Sequence, residues 1–453
     1  MPDLLIAILA VIVVLGVAIN IHEFGHFIIA KLLGMRVEAY SFFGLGPRIW
    51  GFKVGNTDYR ISAIPLGAYV KLYGDESNVG LEGKDETEDA VPEGELYELR
   101  PRWQKFLVML GGPFMNLVLA MAIPFTLAMS YGVPSNPAPI VGFVAAGGAA
   151  EKAGLKVGDR VVNFEGQENP TWERIRNDAL LIPEKQVPIV VERGGERVTL
   201  NITPTKKVDN GNSAGDLDFD VDSGTEPVVV GQISPGMPAS QTDLKTGDWV
   251  VSVNGTAVKN RQEMKRIVAD SKGAPVKLSV NRGDERKEIE TYAVQKDNDW
   301  LIGIGFDTNL VGARETVKMP GALSYAFNTN FEIVRLTFKA FGQVSTGERS
   351  ARDTVSGPIG IVQIIAQMAQ SGGITGLLFL LGLISLNLGI LNLLPIPMLD
   401  GGQIMVLGIE KIMSWFGRTL SLAIKEKIQL AGLAIILLLM VFSVFNDIAR
   451  FFR

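Results

Sequence analysis

The chain has 453 residues, 47% of them hydrophobic, and a mean hydropathy of +0.23, too apolar for an ordinary soluble protein and too long for one domain. A net charge of −5 gives no reason to expect nucleic acid as a partner, and the absence of cysteine removes disulfides, thiolate catalysis and cysteine-ligated metal together. Any metal must be held by histidine and carboxylate, and the only two histidines, His22 and His26, lie within one five-residue motif.

The first apolar run extends from Leu4 to about Ile29 with no Lys or Arg ahead of it, which predicts an uncleaved membrane helix rather than a signal peptide. It contains His22-Glu23-Phe24-Gly25-His26. Four residues apart on a helix, the two imidazoles point the same way, and Glu23 beside them can activate water at a bound metal. Histidines and a glutamate inside an apolar span are costly in lipid and call for a function. A polar cluster joining helices is the plainer alternative, but it explains neither the spacing nor the confinement of histidine to this motif.

After this span come Phe43-Gly44-Leu45-Gly46-Pro47 and then Tyr59 to Leu72, where Leu66 to Leu72 alternates as in a strand. This predicts a β-hairpin or small sheet beside the end of the first span. An acidic cluster runs from Asp75 to Glu98, and a second apolar run covers Phe106 to Tyr131.

From 132 to about 310 the chain is polar and Gly-rich, with short β-branched runs between turn signals such as Asn254-Gly255. It repeats itself: Leu155-Lys156-Val157-Gly158-Asp159-Arg160-Val161-Val162 recurs as Leu244-Lys245-Thr246-Gly247-Asp248-Trp249-Val250-Val251, an offset of 244 − 155 = 89. Gly142 and Gly231, Gly166 and Gly255, and Arg193 and Arg282 keep that offset, which means two copies of one domain. The repeated unit resembles a PDZ domain, a fold that binds peptides as an added strand. A pair of rigid spacers with closed grooves is the alternative. Residues 319–343 read as an amphipathic helix, with Leu323, Phe327, Val334, Phe338 and Phe341 among its apolar positions. It lies on the membrane, packs against the spans, or connects by packing on the second copy.

Further apolar runs cover Leu377 to Leu394 and Leu430 to Phe445, giving four spans, each able to cross roughly 30 Å of hydrocarbon. The expected organisation is spans at 4–33, 105–131, 375–400 and 428–447, with the hairpin in the loop 34–104. The repeats occupy 135–225 and 226–310, a connector 311–372, and a last loop 401–427. Lys31, Arg36, Arg100, Arg102 and Lys105 flank the first loop, and Arg418, Lys425 and Lys427 lie in the last, so both loops face the cytoplasm. Both termini and the repeats then face the other side, against the mild opposition of Arg450 and Arg453.

Catalytic zinc usually takes three protein ligands and an open position, so the third must be a carboxylate. Asp400 is the best candidate, in Asn392-Leu393-Leu394-Pro395-Ile396-Pro397-Met398-Leu399-Asp400-Gly401-Gly402. His22 lies 22 − 4 = 18 residues into the first span, about 27 Å along a helix and near the cytoplasmic side. The third span also runs inward, so Asp400 at its end reaches the same side.

With these motifs in place the chain resembles the site-2 protease family over essentially its whole length. Gly111-Gly112-Pro113-Phe114-Met115-Asn116 and Ser356-Gly357-Pro358-Ile359-Gly360 also look like that group. The resemblance implies an intramembrane zinc metalloprotease in a bacterial inner membrane, with His22, His26 and Asp400 as ligands and Glu23 as general base. It places Asn392, Pro395 and Pro397 near substrate and makes the strand around Tyr69-Val70-Lys71 a substrate-binding edge. It also implies single-pass membrane substrates such as anti-sigma factors, and leftover signal peptides, with the PDZ pair as a gate and lipid around the spans. Ala68 stands where a Gly is expected before Tyr69, and Gln403 where a His is common. The rival class is a membrane-anchored PDZ scaffold with a metal-free site, which zinc content separates from a protease.

Overall fold

The computed structural model describes residues 2–64, 67–74, 91–134, 136–209, 212–222, 224, 227–283, 285–296, 299–306, 314–354, 357–371 and 373–450. Leu66, the acidic stretch 75–90, Ser356 and the expected boundaries at 225–226 and 310–311 lie outside the described residues. The chain divides into two compact units, one of residues 1–130, 318–335 and 355–453, the other of 131–317 and 336–354.

In the first unit, α1 (Pro2–Leu32) is apolar on every side. It leads into a four-stranded sheet of β1 (Val37–Phe43), β2 (Leu45–Val54), β3 (Thr57–Ile64) and β4 (Tyr69–Leu72). The order is β2-β3-β1-β4, with β1 and β3 parallel and the other pairs antiparallel, so β4 is an edge strand. Gly44 separates two strands, so the Gly-rich stretch is part of the sheet. Phe27 and Ala30 of α1, Val37 and Tyr40 of β1 and Val70 and Leu72 of β4 form one core with Val108 and Met109. That core fixes the edge strand beside α1.

The remaining helices of this unit are α2 (Arg102–Tyr131), α3 (Pro358–Ser371), α4 (Gly373–Asn392), α5 (Asp400–Trp415) and α6 (Leu422–Arg450). Among the described residues four helices are long and apolar enough to cross a membrane: Leu5–Leu32, Arg102–Tyr131, Gly373–Asn392 and Ala423–Ala449. At 14 residues, about 21 Å, α3 is too short to cross alone. Buried Asp447 of α6 accepts the backbone N–H groups of Gly357 and Gly360 at 2.9 and 3.0 Å, so a residue distant in sequence caps this helix. The segment expected as a loop after Asp400 instead forms α5, so Asp400 opens a new helix and does not end the third span.

The second unit contains the repeats. Strands Arg160–Phe164, Val187–Arg193 and Glu196–Ile202 answer to Trp249–Val253, Pro275–Arg282 and Glu285–Tyr292. Helix Trp172–Leu180, capped by Thr171, answers to Arg261–Asp270, capped by Asn260. Each copy closes a separate apolar core. The described residues are about 48% helical.

Helix Met319–Ser345 covers the amphipathic stretch, with Leu323, Phe327, Phe338 and Phe341 exposed. In its early part Asn330 donates to the Ala120 carbonyl at 3.0 Å. In its later part Lys339 pairs with Glu165 and Asp178 of the first repeat.

One ion pair is built twice. Arg193 Nε donates to Asp159 and Arg282 Nε to Asp248, both at 2.7 Å, and each aspartate is 1% exposed. Burial pushes each carboxyl upward, but the arginine hydrogen bond, the backbone N–H of Lys156 or Lys245 and the nearby positive charges outweigh it, holding both below 3.8. A carboxylate lowered on folding stabilises the fold fully above its unfolded value and loses that contribution as pH falls through the folded value. The repeat unit should therefore become steadily less stable below about pH 4. In thermal unfolding of the purified protein, Asp159→Asn with Asp248→Asn should lower the repeats' transition at pH 7 and flatten its acid dependence.

Candidate metal centre

The site forms where α1, α2 and the start of α5 meet. His22 and His26 are 6% and 8% exposed, with their Nε2 atoms 3.2 Å apart. Asp400 brings Oδ2 to 3.1 Å from His22 Nε2 and Oδ1 to 3.4 Å from His26 Nε2. Two close helix contacts make this possible. A Cβ on Gly25 would lie 2.0 Å from the Gly111 carbonyl oxygen, and a Cβ on Gly112 would lie 2.4 Å from His26 Nε2. The Gly111-Gly112 pair thus lets α2 press directly against the imidazoles.

The turn after α4 delivers the carboxylate. Pro395 and Pro397 lie in it, where neither can donate a helical hydrogen bond, and Met398 takes a left-handed φ of 84°. A Cβ at Gly401 would meet the Leu393 carbonyl at 2.3 Å, and one at Gly402 the Ile396 oxygen at 2.1 Å. The Asp-Gly-Gly sequence is therefore what allows the turn to fold back over the first residues of α5.

The surrounding groups orient the imidazoles. His26 Nδ1 donates to the Val108 carbonyl at 2.7 Å, which leaves the lone pair on Nε2 facing Asp400. The side-chain amide of Asn116, 0% exposed, lies 3.2 Å from His22 Nδ1. Ser385 Oγ donates to the Asn116 backbone oxygen at 2.9 Å and sits 3.2 Å from its amide. Asn392 at the end of α4 places its amide 3.3 Å from His22 Nε2. Glu23, half-buried, receives the backbone N–H of Val70 on its carboxylate. Tyr69, next to Val70, carries the Arg60 guanidinium over its ring at 5.4 Å.

His22, His26 and Asp400 together could hold one metal ion. Ligands at about 2.0–2.1 Å in a tetrahedral arrangement are separated by about 3.3 Å; the 3.2 Å between the two Nε2 atoms matches, and with one ligand atom from each residue the three lie within 4.8 Å of one another. Despite its nearness to His22, buried Asp400 Oδ2 has no hydrogen-bond partner among the described residues. An acceptor left bare beside two imidazoles fits a cation.

Of the residues singled out from sequence, the fold brings His22, His26, Asp400 and Asn392 together, with Glu23 on the same helix facing the β4 edge. Tyr69 belongs to that edge, and Pro395 and Pro397 shape the turn. Asn116 appeared only within a motif, and Val108, Gly112 and Ser385 had no assigned part. The available signal was the scarcity of polar side chains such as Asn116 and Ser385 inside apolar spans.

Spanning helices around a histidine-carboxylate cluster define an intramembrane metalloprotease. The chain belongs to peptidase family M50, whose profile matches residues 10–439, and its cofactor is zinc. It is 30% identical over 469 residues to Protease RseP of Yersinia pestis, covering 99% of this chain and 100% of the relative. It is also 30% identical over 468 residues to the regulator of sigma-E protease RseP of Escherichia coli, covering 97% of each. A Vibrio cholerae protein named as a zinc metalloprotease is 29% identical over 475 residues, covering 99% of this chain and 100% of the relative. The crystal structure of a Listeria monocytogenes PDZ domain shares 26% identity over 20% of this chain and 95% of that domain, with a TM-score of 0.17, too low to define a shared fold.

Partner groups that orient metal ligands are worth about 10- to 100-fold in metal affinity. Asn116→Ala should weaken zinc retention by about that factor, read by competition with a coloured chelator, while the helical circular dichroism stays unchanged.

Proposed function

We propose that this enzyme hydrolyses peptide bonds within the transmembrane segments of single-pass membrane proteins, with His22, His26 and Asp400 holding the zinc and Glu23 acting as general base. The observation that carries the reading is the meeting of Glu23 with the β4 edge through Val70, beside the three candidate ligands. A transmembrane helix hides its peptide bonds in internal hydrogen bonds, and an unwound segment exposes amides that lipid cannot satisfy. The outer edge of β4 can take such a segment as an added strand once the Val70 N–H leaves Glu23. Tyr69 on that strand and Asn392, Pro395 and Pro397 around the turn would line its path.

Zinc bound here supplies Lewis-acid polarisation of the scissile carbonyl and makes water acidic enough to react near neutral pH. Glu23 would accept a proton from the attacking water on its carboxylate and return it to the leaving amine as the peptide C–N bond breaks. The Val70 N–H holds the carboxylate in place until an incoming strand competes for the edge. Asn116 and the Val108 carbonyl keep the imidazoles turned toward Asp400.

Our reading puts both termini and the repeats on the periplasmic side of a bacterial inner membrane and the site toward the cytoplasm, which the basic residues flanking the spans support. The sigma-E regulators among the relatives favour an anti-sigma factor in an envelope stress response as substrate, with remnant signal peptides as a second class. The repeats are read as tandem PDZ domains that admit substrates already trimmed outside.

Cleavage of an anti-sigma-type transmembrane substrate in detergent tests this, using full-length and outside-trimmed forms. Wild type should cut the trimmed form. Glu23→Gln should keep its zinc but lose at least about 100-fold in rate, within the usual span for general-base loss. A Glu23→Gln enzyme that still cleaves removes Glu23 as the base, and equal cutting of both substrate forms removes the gate.

A further inference from the structure

Asn20 lies on α1 three residues before Glu23, so the two side chains share one helix face, separated by about 4.5 Å along the axis. From β1, the Tyr40 hydroxyl contacts the Asn20 backbone oxygen at 3.4 Å and its amide oxygen at 3.3 Å. The same hydroxyl is within electrostatic reach of the Glu23 carboxylate. Asn20 Nδ2 is shielded from solvent and has no hydrogen-bond partner among the described residues. A bare amide donor within an apolar span is unfavourable, and an apolar side chain of similar volume would avoid the cost.

The geometry of β4 suggests an acceptor. Val70 stands opposite Tyr40 in the β1–β4 pairing, yet its N–H goes to Glu23, so this group points along the outer edge. A segment added to that edge alternates its backbone groups: half pair with β4, and half face away. In lipid the second set would be left unsatisfied.

We propose that Asn20 donates through Nδ2 to a substrate backbone carbonyl on the side facing away from β4, making it a substrate-positioning residue one helical turn from the general base. The proposal rests on the strand-addition reading of β4. It gives α1 two tasks on one face: the Asn20 amide holds the extended segment, and Glu23 handles the proton one turn further on. It also explains the bare donor, since the group is satisfied only when substrate is bound.

The test uses full-length, zinc-loaded protein in detergent on the inactive Glu23→Gln background, with a fluorescent peptide of a transmembrane segment as probe. Asn20→Leu should weaken binding by about 2- to 10-fold, the range for one net hydrogen bond. It should leave zinc content unchanged and should not lower the thermal midpoint. Asn20→Gln, which keeps an amide, should recover part of the affinity. Unchanged binding by Asn20→Leu overturns the proposal while leaving the strand-addition reading in place. A weakened, less stable Asn20→Leu that Asn20→Gln does not improve overturns it in favour of a structural role. Failure of the Glu23→Gln parent to bind the segment defeats the strand-addition reading itself.

Discussion

Asp400 Oδ2 sits 3.1 Å from His22 Nε2 with no hydrogen-bond partner among the described residues, within a bundle of helices that are apolar almost throughout. Taking a carboxylate and two imidazoles out of water costs several kcal/mol per charged group unless something answers their charge. A cation bound between them would offset that cost, and the rest of the first unit can be understood as the means of bringing these three side chains together. The helices are held by apolar packing, which lacks direction. The polar cluster sets their register.

Close approach is the second requirement. Helices usually pack with axes 8–10 Å apart, and side chains between them would hold the imidazoles away from α2. Gly25 against Gly111, and Gly112 against His26, remove that spacer, while Gly401 and Gly402 do the same for the turn before α5. Gly389 on α4 brings that helix to within 3.3 Å of the Asn116 side chain by the same measure, which seats the amide beside His22. A glycine pair beside a polar residue is thus one device used in both halves of the site. The sheet enters through α1 as well: Phe27 stacks on Tyr40 at 4.9 Å between ring centres, anchoring β1 and, through it, the edge strand that meets Glu23.

Much of this organisation was legible in the chain because it is local or periodic. His22, Glu23 and His26 define their shared geometry through helical spacing alone, hydropathy marks the four long helices, and the offset of 89 marks the repeats. The lack of cysteine and of a third histidine requires a carboxylate ligand, and the matching direction of the first and third spans, which brings Asp400 to the same side as His22, singles it out among them. What was not legible depends on contacts between distant residues. Helix α3 begins at a Gly-Pro whose cap, Asp447, lies 90 positions later. The parallel pairing of β1 with β3 joins strands separated in sequence by β2, and alternation along a strand does not set strand order. Helix α5 is hidden in the sequence because the Asp-Gly-Gly at its start looks like a turn, and only the fold shows that the glycines make room for a turn just upstream. Asn116 and Ser385 were visible as polar residues in spans, but nothing local showed which histidine they serve.

The claim on which everything else depends is that two imidazoles of α1 and a carboxylate 378 positions later (400 − 22) hold one zinc ion. X-ray absorption at the zinc edge, on purified protein in detergent, tests it most directly. The account predicts about one zinc per chain, with two imidazole nitrogens and carboxylate oxygen at about 2.0–2.1 Å, and loss of that oxygen shell or of the metal itself in Asp400→Ala. Zinc without imidazole scattering, or a spectrum that Asp400→Ala leaves unchanged, would contradict it.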